Sequence, residues 1–406
     1  MNRKIILILV STGILLLNGC DNSNGDENTI DVCTESTGIV FDNVKVMEHT
    51  NLLETVELNS THHKLMFSAL AQDIQKDDIL VFDTSPEYPG GMTRKVHLVS
   101  QNNGGVQVIA SVAGLGDIFE ELELCHQAKL KEESMSKINI ESKSPTTYEG
   151  GLGKKHELYD FSYTIDEAFA HDVVHLKGEM HFEIDYDLRI RTKTKINCSW
   201  SHGCHTHVSL LSGSKFTIDS KVSTSLMVSA EKEYEKHESK VLYSVNFEPI
   251  TIPVAGIPVV IVPELYIIAG IDVDMEGSLE TGMETKAEGL LGIKYHGQDR
   301  GWKPVEKISH SFEKKPISVD VSAKARAYIG PKVKLKLYGI TGPYADILAY
   351  TELDADIHSN PWWKLHAGIE SYGGFKARVL HHTLVNVHKK LYAKDFIIVE
   401  AEGKFP

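Results

Sequence analysis

From Val174 to Ile190 every second residue is apolar or glycine: Val174, Leu176, Gly178, Met180, Phe182, Ile184, Tyr186, Leu188 and Ile190. The residues between them, His175, Lys177, Glu179, His181, Glu183, Asp185, Asp187 and Arg189, are all polar. A period of two held over that length predicts a β-strand with one dry and one wet face. Val319, Val321, Ala323, Ala325 and Ala327 repeat the pattern against Asp320, Ser322, Lys324 and Arg326. Val333, Leu335 and Leu337 continue it against Lys332, Lys334 and Lys336, and Ile271, Val273 and Met275 follow it against Asp272, Asp274 and Glu276. No helical periodicity of comparable length competes. The predicted fold class is all-β: a large antiparallel sheet assembly, sandwich or open barrel-like, with a small N-terminal β module.

That module is clearest between Asp77 and Glu123. Strands are predicted at Ile79–Phe82, Arg94–Val99 and Val106–Val112, separated by Ser85-Pro86-Glu87-Tyr88-Pro89-Gly90-Gly91 and Asn102-Asn103-Gly104-Gly105. Gly, Pro and Asn between β-branched runs mark hairpin turns. His126–Gly150, rich in Lys, Glu, Ser and Thr, reads as a linker. The most apolar stretch, Ile250–Ile271, has the length of a membrane span, but Pro253, Pro258 and Pro263 oppose a straight helix. Buried strands joined by proline-marked bends are expected there, and long amphipathic strands that line a lipid-binding cavity or insert as a barrel are the weaker alternative.

The N-terminus supplies an address. Arg3 and Lys4 precede an apolar run from Ile5 to Leu17, followed by Asn18-Gly19-Cys20. A short apolar core with a basic start is a secretory signal rather than a spanning helix. Its end resembles the lipobox of bacterial lipoproteins, with Leu17 three residues before Cys20 and Gly19 directly before it; Asn18 is less usual there. The resemblance implies cleavage before Cys20, lipidation of its thiol and acylation (palmitate-type) of its amine, hence a stable membrane anchor. Asp21 matches the residue that favours inner-membrane retention in enterobacterial lipoproteins, but inner and outer membrane stay undecided. The segment 21–31 holds Ile30 as its one large apolar residue and reads as a tether.

Composition narrows the class further. The 406 residues are 42% hydrophobic and 24% charged, which suits a globular chain and excludes a disordered or polytopic one. Removing residues 1–19 takes Arg3 and Lys4 and moves the net charge from -14 to -16, which disfavours nucleic acid as a partner. With Cys20 lipidated, Cys33, Cys125, Cys198 and Cys204 remain in an oxidising compartment. Three pairings are formally open; Cys33–Cys125 and Cys198–Cys204 are preferred because each brackets a coherent segment. The expected organisation is a signal peptide (1–19), a lipidated tether (20–32), a small disulfide-closed β module (33–125), a linker (126–150) and a large antiparallel β domain (151–406).

Two blocks add a second resemblance. Asp77–Ser111, with ILVFDTSPEYPGGMTRKVHLVS, and Ala327–Val379, with YIGPKVKLKLYGITGPYADILAYTELDAD and NPWWKLHAGIESYGG, resemble the opening and C-terminal parts of large secreted or surface β-rich bacterial proteins. This implies export and β architecture and supplies no catalytic residue. Gly330-Pro331 and Gly342-Pro343 read as corners, and Trp362-Trp363 as the cap of a sheet end or a rim.

Candidate chemistry is sparse. His171 and His175 have the spacing of a degenerate zinc-protease signature, but on a strand that spacing separates the side chains by about 13 Å. The adjacent pairs His62-His63 and His381-His382 would face opposite ways. The densest cluster runs from Cys198 to His207. There His205 and His207 would share one strand face and His202 could join them to hold zinc or copper, against the simpler reading of a stapled hairpin with a polar tip. No cofactor is otherwise expected, and no phosphate loop or nucleophile elbow is present. The leading expectation is a lipid-anchored, non-catalytic envelope protein that binds or adheres to a surface partner. A carrier or membrane-inserting protein for an apolar ligand, with a cavity lined by Val254, Val260, Ile267 and Ile271, comes second. A metal-dependent hydrolase using His202, His205 and His207 comes third.

Overall fold

The computed structural model describes residues 35–59, 62–68, 73–102, 105–140, 161–169, 173–199, 203–230, 234–275, 278–315, 317–319, 323–340, 342–379 and 382–405. They build one compact unit of almost wholly β structure. The period-two stretch at Val174 extends into a 26-residue strand, Val174–Ser199, which is the spine of a nine-stranded antiparallel sheet. Across that sheet run Thr37–Val40, Phe119–Lys129, Val174–Ser199, Lys215–Ala230, Leu279–Tyr295 and Trp302–Lys314. Phe161–Phe169 and Gly203–Leu210 also pair with the spine. Val174, Leu176, Met180, Phe182, Ile184, Tyr186, Leu188 and Ile190 are all buried, as the alternation requires.

A second nine-stranded sheet is ordered Pro343–Asp346, Trp363–Val379, Leu348–Ala355, Ala323–Leu337, Ile257–Met275, Tyr234–Phe247 and Met135–Ile140. His382–Glu400 and Ile250–Val254 pair at its sides. The inner faces of the two sheets interlock. Phe161 meets Phe247 edge-on at 6.2 Å, and Tyr163 meets Tyr243 at 4.8 Å. Each sheet hides its apolar face against the other, which is the physical basis of a sandwich. The assembly is not a closed barrel.

The small N-terminal sheet has six strands in the order Val44–Met47, Ile79–Phe82, Met92–Asn102, Gly105–Val112, His62–Phe67 and Leu52–Glu57. Its first pair is parallel. Leu80 and Phe82 point into its own core, with Leu65, Phe67, Val96 and Val108. Ile79 and Val81, alternating with them, join the core of the large sandwich. The Thr251 hydroxyl donates to Asp83 at 2.8 Å. The small sheet is therefore seated on the larger body.

Several expectations need correcting. The strand Phe119–Lys129 runs straight through the expected boundary at Cys125, and Met135–Ile140 is an outer strand of the second sheet. In the described part of the 126–150 linker, 126–129 and 135–140 are thus strand, joined through a short 3-10 turn at Glu132–Ser134. Leu122, Leu124 and Leu130 keep the period of two through this region and are buried, beneath a composition dominated by Lys and Glu. In Ile250–Ile271 the bend is made by Ala255 and Gly256, at φ 48° and 84°, rather than by proline. Pro253 and Pro258 face each other across the hairpin, and Pro263 lies inside a strand opposite Leu335. Gly330-Pro331 also lies inside a strand, where Ala323–Leu337 exchanges Leu348–Ala355 for Pro343–Asp346 as its neighbour. Trp363 opens a strand, with Trp362 beside it at 6.4 Å, as expected of a sheet end.

Candidate functional site

The outward face of the second sheet gathers a set of polar and aromatic groups. Cross-strand register draws it from distant segments. His237, Asp272, Arg326, Glu352 and His366 form one row, each opposite the next. Glu235, Asp274, Lys324, Asp354 and Lys364 form the row beside it. Neighbouring strands stand about 4.8 Å apart, so each row is a ladder of closely spaced charges. Between the rows lies a recess of about 600 Å³, lined by Glu235, His237, Asp272, Asp274, Lys324, Arg326 and Glu352 with Val273.

Beyond Arg326 the ladder becomes a bonded network. The guanidinium lies 4.1 Å from the centre of the Tyr350 ring and 3.0 Å from Glu370. Glu370 also takes Lys390 at 3.0 Å and the Tyr372 hydroxyl at 3.1 Å. Burial pushes its carboxyl up, but the bond from Lys390 and the charge of Arg326 outweigh this and hold it below its ordinary value. The Tyr350 hydroxyl donates to Asp395 at 2.9 Å, and the other oxygen of Asp395 lies 2.7 Å from His366 Nδ1. Asp346 is buried, and desolvation raises its carboxyl to about 6 even though the Tyr372 N–H donates to it at 2.6 Å.

Two glycines make room for the rings. A methyl group on Gly368 would stand 2.2 Å from Tyr350, and one on Gly270 would stand 2.3 Å from Tyr328. The tyrosines thus lie over bare backbone on the neighbouring strand, and the Tyr350 hydroxyl reaches Asp395. Such a surface can offer hydrogen bonds of both kinds, fixed charges and aromatic edges at regular spacing, held on rigid elements.

The sequence-derived site residues fall elsewhere. Cys20, Cys33 and His202 lie outside the described residues, as do His171 and His381. The backbone register sets Cys198 opposite Cys204, with His205 opposite Asn197 and His207 opposite Lys195. His207 is exposed, with Nδ1 at 3.3 Å from the Ser209 hydroxyl. Among the described residues no group of three His, Cys, Asp or Glu side chains is placed to hold a metal ion. Cys125 lies beside Ser36, whose hydroxyl donates to its carbonyl at 3.1 Å and accepts its N–H at 2.9 Å. Val254, Val260, Ile267 and Ile271 are fully buried members of the sandwich core.

Sequence reasoning missed Tyr328, Tyr350, His366, Glu370 and Asp395. The available signal was weak: tyrosines at wet positions of alternating strands, with glycine in a partner strand. Two serine–histidine contacts also come from sheet pairing, Ser162 with His181 at 2.8 Å and Ser111 with His97 at 2.8 Å. Ser162 and His181 are direct cross-strand partners. No protein family, curated protein or solved structure matches this chain.

Proposed function

We propose that the chain is a lipid-anchored protein of the bacterial cell envelope, whose sandwich acts as a non-catalytic scaffold and presents the outer face of the second sheet to a surface partner. The observation that carries the binding half is the recess between the His237–His366 and Glu235–Lys364 rows, backed by the network of Arg326, Tyr350, Glu370 and Asp395. Regular polar groups on rigid strands suit recognition of an extended, hydrogen-bonding partner. The anchor half rests on Arg3, Lys4, the apolar run to Leu17 and the Gly19-Cys20 junction. Burial of Val254, Val260, Ile267 and Ile271 in the core weighs against an apolar carrier built on that stretch.

Disulfides belong to the same reading. A Cys33–Cys125 bond is supported by the Ser36–Cys125 contacts and by the pairing of Thr37 with Glu123, which bring the chain just after Cys33 to the strand that carries Cys125. The Cys198–Cys204 bond is supported by their direct opposition in the hairpin.

One two-armed experiment tests the proposal. In a bacterial host fed an alkynyl palmitate analogue, the wild-type protein incorporates label and sediments with membranes, whereas Cys20→Ala is unlabelled and soluble. Purified protein lacking residues 1–20 then co-sediments with isolated envelope fractions, and Arg326→Gln with Glu352→Gln weakens that association at least about tenfold. Equal labelling of Cys20→Ala overturns the anchor; undiminished association of the double variant overturns the face.

A further inference from the structure

The small N-terminal sheet holds a cation, Arg94, that no carboxylate among the described residues pairs with. Several half-buried cations of this acidic chain meet carboxylates, as Lys215 meets Asp187 and Lys336 meets Glu264. Within the same sheet Lys45 reaches Asp78 at 3.0 Å, and Lys95 reaches Asp117 at 3.8 Å. Arg94 has no acidic partner among the described residues. One of its terminal nitrogens donates to the carbonyl of Thr93 at 2.9 Å, and its Nε is buried with no hydrogen-bond acceptor. Burying a guanidinium without a counter-charge is costly, so its retention here calls for a partner.

Its surroundings define what that partner is. Arg94 pairs with Leu80 and with Val112, and His63 pairs with Ala110. Leu80 and Ala110 belong to the sheet's own core, and directly paired residues share a face, so Arg94 and His63 stand on the same side of the sheet. Ala110, the small residue between their strands, is completely buried. His63 Nδ1 is a second buried polar atom with no hydrogen-bond partner among the described residues. Desolvation first, then the Arg94 charge and, less strongly, His62 lower the His63 imidazole below its ordinary value, against the opposing pull of Glu57, its direct cross-strand partner. Tyr88, packed against the same core, also interacts with Arg94 electrostatically. Both Arg94 and His63 keep part of their surface in solvent, so the site can be entered.

We propose that Arg94 and His63 form a binding site for an oxyanion group, a carboxylate or a phosphate, carried by a small ligand. Arg94 supplies the charge and a forked set of donors, and His63 supplies one further donor through its ring. The bound anion satisfies the Arg94 Nε and neutralises the buried charge. It also opposes the lowering at His63, since a bound anion beside Arg94 favours the imidazolium, in the same direction as Glu57, whereas burial and the Arg94 charge disfavour it.

The test uses the full chain, with inorganic phosphate and sodium acetate as probes at constant ionic strength balanced by chloride. At ten times its dissociation constant, the bound anion raises the thermal midpoint of the wild-type protein by about 2 °C. Proton NMR shows the His63 titration moving to higher pH on addition of the same anion. Response to phosphate alone identifies a phosphate-type ligand, and response to acetate identifies a carboxylate. Arg94→Gln abolishes both effects. Should that variant fail to fold, His63→Gln keeps the guanidinium and weakens binding about tenfold. A His63 titration that neither anion moves overturns the proposal. So does a midpoint shift equal in wild type and Arg94→Gln, or an affinity that His63→Gln leaves unchanged.

Discussion

Asp346 sits beneath the network on the second sheet, where burial raises its carboxyl to about 6 from an ordinary value of 3.8. A folded-state value above the unfolded one means that the native protein binds the proton more tightly. The associated stability is complete below about pH 4 and disappears as the pH climbs through the folded value. At neutral pH the ionised group therefore costs up to about 3 kcal/mol relative to its protonated form. Asp346→Asn keeps an oxygen to accept the Tyr372 N–H and removes the charge. The variant should gain roughly that amount on wild type between pH 4 and pH 7.5, read from urea unfolding at the two pH values. An unchanged difference would place Asp346 in a wetter environment than its burial indicates. Gly330 shows a constraint of another kind at this scale. A methyl group there would stand 1.7 Å from the Ile347 carbonyl oxygen, so the strand can change neighbours only where the side chain is absent.

At the scale of elements, the Val174–Ser199 strand outlasts every single neighbour. Phe161–Phe169 and then Phe119–Lys129 cover one edge in turn. Lys215–Ala230 covers the other edge as far as Arg189, and Gly203–Leu210 folds back over the far end. Its wet face is tied down by Arg189 to Glu123, Lys193 to Glu121 and Lys215 to Asp187. The hairpin that ends the strand projects beyond these neighbours, and the proposed Cys198–Cys204 bond would hold it closed. Peptide mapping under non-reducing conditions should recover that pair and Cys33 with Cys125. Replacing Cys198 and Cys204 together by Ser should cost about 2 kcal/mol in the chain-entropy account of so short a loop. Recovery of Cys204 as a free thiol would refute the pairing.

For the whole molecule, the decisive contact is the shared role of one short strand. Ile79–Phe82 sends Leu80 and Phe82 into the small core and Ile79 and Val81 into the large one. Unfolding the small sheet alone would bare apolar surface on the sandwich, so the two should melt together. Val81→Asp buries a charge where the wild-type side chain is fully enclosed, and should destabilise the protein by at least about 3 kcal/mol. Scanning calorimetry should show one transition moving to lower temperature. Two separate transitions, with only one displaced, would mean that the small sheet folds on its own.

Much of this fold was legible in the chain itself. The alternation from Val174 to Ile190 set the strand, its buried face and the all-β class, because a strand's side chains alternate strictly whatever its neighbours are. Likewise, the turn between Ser85 and Gly91 followed from local backbone preferences. Leu122, Leu124 and Leu130 carried the same signal into the supposed linker, where a polar composition masked it. The tertiary structure decided what periodicity cannot encode: which strands pair, and in what register. Arg326, Tyr350, Glu370 and Asp395 are spread over some 70 positions and meet only because three strand pairings align them. Arg94 reads as an ordinary wet-face cation until pairing sets it opposite Leu80, a residue of the small core. Local sequence determines which face a residue takes, whereas long-range pairing determines what stands beside it there.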